Sequence, residues 1–200
     1  MMTLRMTARD QLRAATDDVH LRLHRHAAFR RLADGTIDEQ QYTSLLARLH
    51  GFHAPLEEAV ARASMRLGLE NECGSRQRVH LLHEDLLALR LTEVQIAALP
   101  RVGTLPALNT RGRLLGALYV RKGSTLGGRV LARGLDGLLG SGCANGRRFL
   151  AGDPGQQAEW QDLCSSIEAV AADGNLDDMI TAAVETFSAF EFWIEEDGAR

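Results

Sequence analysis

LRAATDDVHLRL, residues 12–23, sets Leu12, Ala15, Thr16, Val19 and Leu23 at steps of three and four, with Ala27 in step beyond them. That spacing is one face of an α-helix. Thr7 or Thr3 suits its N-cap. The same period returns along the chain. Tyr42, Leu45, Leu46, Leu49, Phe52, Leu56, Val60 and Ala63 form a second stripe, with Thr36 or Asp38 as its cap. Val79, Leu82 and Leu86 predict a third helix over 76–89. Thr92 starts a short fourth one, ended by Pro100. Gly68 and the stretch around Gly74 read as a connection, and VGTLPALNT as a loop. A long apolar pattern runs from Arg111 to Leu139 and is followed by a glycine-rich turn, GSGCANG. Two more helices are predicted, 154–172 and 176–195, with Pro154 in a first turn after Asp153 and Asn175 as a cap.

No strand alternation, internal repeat or Pro/Gly/Ser-rich linker interrupts this pattern. The expectation is an all-α, single-domain, multi-helix bundle over residues 1–200, with 1–8 and 196–200 frayed. At 200 residues, with 45% hydrophobic and 24% charged residues, the chain can bury a core and still hold a cofactor-sized cavity. A net charge of -3 argues against a nucleic-acid surface. Cys73, Cys143 and Cys164 form no CxxC pair, which argues against a thiolate metal site and fits a reducing, cytoplasmic setting. There is no signal-peptide core and no apolar run long enough to span a membrane.

Two features carry chemistry. His20 stands beside Val19 and Leu23, at the edge of the buried helical face. A neutral imidazole there can bind iron, and the helix would fix its direction. A histidine hydrogen-bonded in the core is the plainer alternative. His24, one turn on, competes as a ligand or forms an i, i+4 metal pair with His20, although no HExxH pattern accompanies them; His26 is close by. The second feature is GSTLGG, Gly123 to Gly128. Glycine costs roughly 1 kcal/mol more than alanine in a helix interior. Three within six residues should weaken or kink the helix, a cost tolerated where something must approach the backbone. A flat macrocycle would use such a surface; a tight helix crossing or a helix break would also explain it. GSTLGG lacks the GxxxxGK[ST] pattern of a phosphate loop.

A histidine on one helix and a glycine-rich segment on a distant one suit the two faces of a haem sandwich. LRAATDDVHLRL resembles the proximal helix of haem oxygenases, especially bacterial ones found with bacteriophytochromes. YVRKGSTLGGRVLARGL, residues 119–135, resembles their distal helix. TFSAFEFW, residues 186–193, and Trp160 are similar to weaker landmarks. The resemblance implies haem sandwiched between a proximal helix and a kinked distal helix. It makes His20 the proximal iron ligand and Gly123, Ser124, Gly127 and Gly128 the distal catalytic surface. Ser124 stands where many members carry an aspartate that orders distal water. Arg121 and Lys122 depart from an apolar, often acidic, pattern. Arg13, two turns before His20, is the first choice for the haem propionates, ahead of Lys122, Arg129 and Arg133, with Tyr119, Gly123 and Gly127 also lining the haem.

The activity so implied is cleavage of haem, both cofactor and substrate, to biliverdin, carbon monoxide and ferrous iron. It consumes O2 and electrons from an external ferredoxin or reductase, and a bacteriophytochrome is a candidate recipient of the bilin. A haem carrier or sensor on the same fold, without turnover, is the alternative. A two-metal helical enzyme would need Glu and ExxH ligands that are not evident, and a ligand-free interaction module would show no response to haem. Tyr119, Phe29, Phe149, Phe187, Phe190 and Trp193 otherwise read as core, and His50, His53, His80 and His83 as solvent-facing or capping residues.

Overall fold

The computed structural model describes residues 6–69, 78–152 and 155–195, and every regular element among them is helical. Ten α-helices follow in order: α1 (Ala8–Arg25), α2 (Ala27–Ala33), α3 (Glu39–Leu67), α4 (Val79–Ala88), α5 (Glu93–Ala97), α6 (Arg111–Arg133), α7 (Asp136–Leu139), α8 (Arg148–Ala151), α9 (Gln156–Val170) and α10 (Leu176–Glu195). The expected all-α bundle is what forms. Thr3, Cys73, Gly74, Asp153 and Pro154, and the expected start of the third helix at residue 76, lie outside the described residues.

Local chemistry places most helix ends. Thr7 Oγ1 accepts from Asp10 N at 3.1 Å, and Glu168 takes the amides of Ala8 and Arg9 at 2.9 and 3.0 Å. Three donors that a helix start leaves unmatched are thereby satisfied. Residues 7 and 8, expected to fray, are held by these bonds, and Ala8 is buried. Asp38 and Gln41 form a reciprocal capping box on α3, and Thr92 and Gln95 form one on α5. Gly68 ends α3 in the left-handed conformation, φ 66°.

The first stripe does not run unbroken to Ala27. His26 takes ψ 135°, ends α1, and accepts Ala28 N through Nδ1 as it starts α2. α10 begins where expected, but Asn175 directs Nδ2 to Asp173 O, and α9 passes into α10 through a wide turn, 171–175, with Gly174 at φ 83°.

The GSTLGG segment does not interrupt α6. The backbone is α-helical from Arg111 to Arg133, and none of its glycines takes positive φ. The expected helix to Leu139 is instead divided at Gly134. There the buried Arg147 guanidinium collects Ala132 O (2.8 Å), Leu135 O (3.2 Å) and Gly140 O (2.7 Å), and pairs with Asp136 (2.5 Å). These carbonyls are the orphans of helix ends, so the loop reading GSGCANG is tied down by the arginine that follows it.

α6 and α10 form the central crossing. Its closeness depends on Gly112 and Gly116, one turn apart. A Cβ at Gly116 would overlap Met179 O, and one at Gly112 would lie 2.7 Å from Asn175 O. One hydrophobic cluster runs through the bundle, from Leu12 and Val19 of α1 through Leu46 and Leu56 of α3 and Leu114 and Leu118 of α6 to Met179 and Ala183 of α10. Each such side chain, fully buried, contributes roughly 1.5–3 kcal/mol. Among the described residues no helix is long and apolar enough to cross a membrane.

Candidate functional site

α1 and α6 both pack on α9 and α10 but make little direct backbone contact with each other. Two contacts with α6 are made from this side of the bundle, one by α1 and one by α2. At one, the Thr16 hydroxyl of α1 lies near that of Tyr119 and eases its ionisation. At the other, the carbonyl of Leu32, at the end of α2, sits against Gly134, where a Cβ would overlap it. Fifteen residues of α6 separate Tyr119 from Gly134, about 22 Å of helix. Along the chain, His20 falls between Thr16 and Leu32, and Gly123, Ser124, Gly127 and Gly128 fall between Tyr119 and Gly134.

His20 is solvent-exposed on α1. Its ring centroid is 4.5 Å from that of His24 and 6.1 Å from that of Phe187 on α10. Partial burial, then the neighbouring His24, pushes its pKa below the usual histidine value, opposed by Asp17. It is therefore a neutral imidazole at pH 7, the form that ligates iron. Arg13 is exposed and adds its field to both His20 and Tyr119, which places its charge at the Thr16–Tyr119 end.

The glycines of α6 divide their roles. A Cβ at Gly127 would meet no atom within 4 Å, so this backbone faces open space. One at Gly123 would rest on the Trp160 ring at 3.5 Å, an ordinary contact. Gly128 faces away, against Leu150 of α8, where a Cβ would lie 2.9 Å from the carbonyl oxygen. The macrocycle reading thus suits Gly127 and Gly123, while the close-packing alternative accounts for Gly128. Ser124 is exposed and donates its hydroxyl proton to Arg121 O at 2.8 Å, which leaves its oxygen as an acceptor. Trp160 lies beneath this face, its ring 5.6 Å from Tyr119.

Lys122 points into the protein. It is buried against α9, with Nζ 3.7 Å from Glu159. Arg121 is 8% exposed and pairs with Glu57 of α3, 5% exposed, at 3.7 Å. Arg129 and Arg133 are exposed on the last turns of α6. The unusual Arg-Lys pair is therefore matched by two acids from other helices. No local pattern around Glu57 or Glu159 signals that pairing.

Behind α6 lies a buried polar group that sequence reading missed. Glu57 also accepts Arg78 N at 2.8 Å and Val79 N at 3.3 Å. Arg78 bonds Phe149 O and covers the Phe149 ring. His53, read from sequence as solvent-facing or capping, is buried there. Desolvation and the charges of Arg78 and Arg121 push its pKa down to about 3. Asp85 accepts the amides of Arg148 and Phe149 at 2.8 and 2.9 Å, and burial raises it to about 6. Phe187, read as core, is buried yet also meets the His20 ring. Trp193 is structural: its indole donates to Arg48 O at 2.8 Å, and the Arg48 guanidinium lies over its ring.

The geometry is that of a helical bundle with an exposed imidazole on α1 and open backbone at Gly127 on α6, two helices that share α9 and α10 as neighbours. The family model described as heme oxygenase matches residues 6–196, and the chain belongs to this family. A heme oxygenase of Xanthomonas campestris pv. campestris is 36% identical over 102 residues, which is 51% of this chain and 57% of that relative. The chain thus matches just over half the length of this curated relative.

Among solved structures, the NO- and CO-bound heme oxygenase of Neisseria meningitidis superposes with a TM-score of 0.70 at 19% identity, covering 96% of this chain and 92% of that one. Heme oxygenase-1 of the cyanobacterium Synechocystis, in complex with heme, gives 0.63 at 16% identity, covering 96% of both chains. At these identities the likeness is one of fold.

Proposed function

We propose that this chain binds haem between α1 and α6 and cleaves it to biliverdin, carbon monoxide and ferrous iron, consuming O2 and electrons from a separate ferredoxin or reductase. The observation that carries this reading is the placement of His20. Its imidazole has a pKa below the usual histidine value, is accessible to solvent, and stands on α1, which makes little direct contact with α6. The residues fit the group: an imidazole suits iron, and open space at Gly127 admits a flat ring.

His20 would hold the iron, and Phe187 packs beside its ring to limit rotation. Arg13 would meet the propionates near Tyr119, which its charge already reaches. Gly123 and Gly127 leave backbone rather than side chains on the distal side. Ser124, its proton already given to Arg121 O, accepts a hydrogen bond from distal water and so orients that water's protons. Gly128 presses α6 onto α8 and keeps the distal backbone in place. Lys122 serves as an internal partner of Glu159. When bound, the haem supplies the oxygen chemistry and is itself the molecule consumed; the protein supplies placement and water.

Supply of bilin to a bacteriophytochrome and a cytoplasmic setting are consistent with this reading. The test is a haem titration of the wild type and His20→Ala, followed by addition of reductant in air and chromatography of the product. Wild type should bind haem, lose its Soret band and yield a bilin, while His20→Ala should lose most turnover. A wild-type Soret band that persists under reductant and air would make the protein a haem carrier or sensor instead.

A further inference from the structure

His20 has a second imidazole beside it that the haem reading does not use. His24 lies one turn further along α1, is solvent-exposed, and its ring centroid is 4.5 Å from that of His20. We propose that His20 and His24 together form a binding site for a borderline divalent transition metal, of the zinc, nickel or copper class, which haem-free protein uses and which excludes haem.

The spacing supports this. Two histidines at i and i+4 lie on one helical face, the arrangement by which a helix offers two imidazoles to one metal. Zinc holds imidazole nitrogens at about 2.0–2.1 Å. Adding about 1.2 Å from nitrogen to ring centre, two rings bound at angles of about 90–110° have centres about 4.5–5.3 Å apart. The observed 4.5 Å places the two rings side by side, edge-on at an interplanar angle of 85°. Binding one metal requires both rings to rotate about their side-chain bonds until a nitrogen of each faces the ion. For comparison, the His50 and His83 rings are 6.5 Å apart on different helices, and His83 is engaged with Glu93 at 2.9 Å.

The electrostatics agree. His20 is exposed beside His24. Asp17, one turn before it, contributes a negative field that favours a cation. No group of three or more His, Cys, Asp or Glu is gathered closely enough to hold a metal among the described residues. The site therefore supplies two protein ligands and leaves the remaining positions to water. It should be exchangeable, with copper and nickel favoured in the usual divalent order.

The consequence for haem follows from shared use of one imidazole. A His20 nitrogen that holds zinc cannot also hold haem iron, so the two ligands compete. This consequence rests on His20 being the iron ligand; the metal site itself does not.

Titration calorimetry of haem-free protein with zinc chloride tests the site, using wild type, His20→Ala and His24→Ala. Both positions are exposed, and folding of each variant is checked by far-UV circular dichroism. Wild type should bind zinc, and each variant should bind about tenfold or more weakly. Zinc uptake by His24→Ala equal to wild type would overturn the proposal. Haem titrations with and without saturating zinc then read the competition. Zinc should weaken haem binding to wild type and leave His24→Ala, whose own haem affinity is retained, unaffected. Zinc binding that needs both histidines but does not disturb haem would uphold the metal site and overturn His20 as the iron ligand.

Discussion

The Thr16 hydroxyl on α1 lies near that of Tyr119 on α6 and eases its ionisation, each residue one turn before the one, His20 or Gly123, on which the proposed haem site depends. Thr16 is buried and donates to Leu12 O at 2.9 Å. Tyr119→Phe therefore leaves Thr16 satisfied and should cost no more than about 1 kcal/mol. Urea unfolding of haem-free protein measures it; a loss above about 3 kcal/mol would mean that the Tyr119 hydroxyl does more than meet Thr16.

Alanine at three glycines should give two different signs. At Gly134 and Gly116 a Cβ would overlap the carbonyls of Leu32 and Met179, and backbone does not yield cheaply. Both variants should be destabilised by about 1–3 kcal/mol or more. At Gly127 the Cβ enters open space, so Gly127→Ala should stabilise haem-free protein by up to about 1 kcal/mol through helix propensity. The same methyl narrows the proposed haem space, so haem affinity should fall while the melting temperature rises. Paired thermal and haem titrations would show that split.

The Glu57–Arg121 pair is a buried ion pair whose acid also serves two backbone amides. Glu57→Ala removes a buried counter-charge of Arg121 and leaves both amides without this acceptor, and should cost about 3–5 kcal/mol. Glu57→Gln retains an acceptor and should cost less. A loss within 1 kcal/mol for Glu57→Ala in chemical denaturation would mean that the charge is not buried as described.

Acid should unfold haem-free protein through its histidines. His20, His26, His50 and His53 are all depressed by burial, His53 to about 3. Each binds its proton more readily when unfolded, so the stability it contributes is full above about 6.5 and is lost as pH falls towards the folded value. Asp85, raised to about 6, runs the other way: between about 4 and 6 the folded state holds the extra proton, and stability falls as pH rises. Asp85→Asn should therefore steepen the loss of stability on acidification between pH 6 and 4, and His53→Leu should flatten it. Denaturant midpoints at half-unit pH steps check both slopes.

Sequence by itself determined the helical class, a cap at Thr92, the caps of α1 and α3 to within two candidates each, and the span of α10. These follow from periodicity and from side chains that bond their own local backbone, so a window of a few residues contains the cause. Membership of the family was also legible, in two short motifs about a hundred residues apart.

Tertiary structure alone decided where the glycines of α6 matter. Gly112 and Gly116 receive α10, Gly128 receives α8, and Gly127 is left open, a division set by partners far away in the chain. It also decided the fate of Arg121 and Lys122, a departure from the expected apolar pattern with Lys122 a candidate for the propionates, which turn inward to Glu57 and Glu159. Burial of a charge depends on a counter-charge brought by another helix, and no local spacing encodes that. That α1 and α6 both lean on α9 and α10 with little direct contact is likewise a property of packing, where helices that share neighbours need not touch each other.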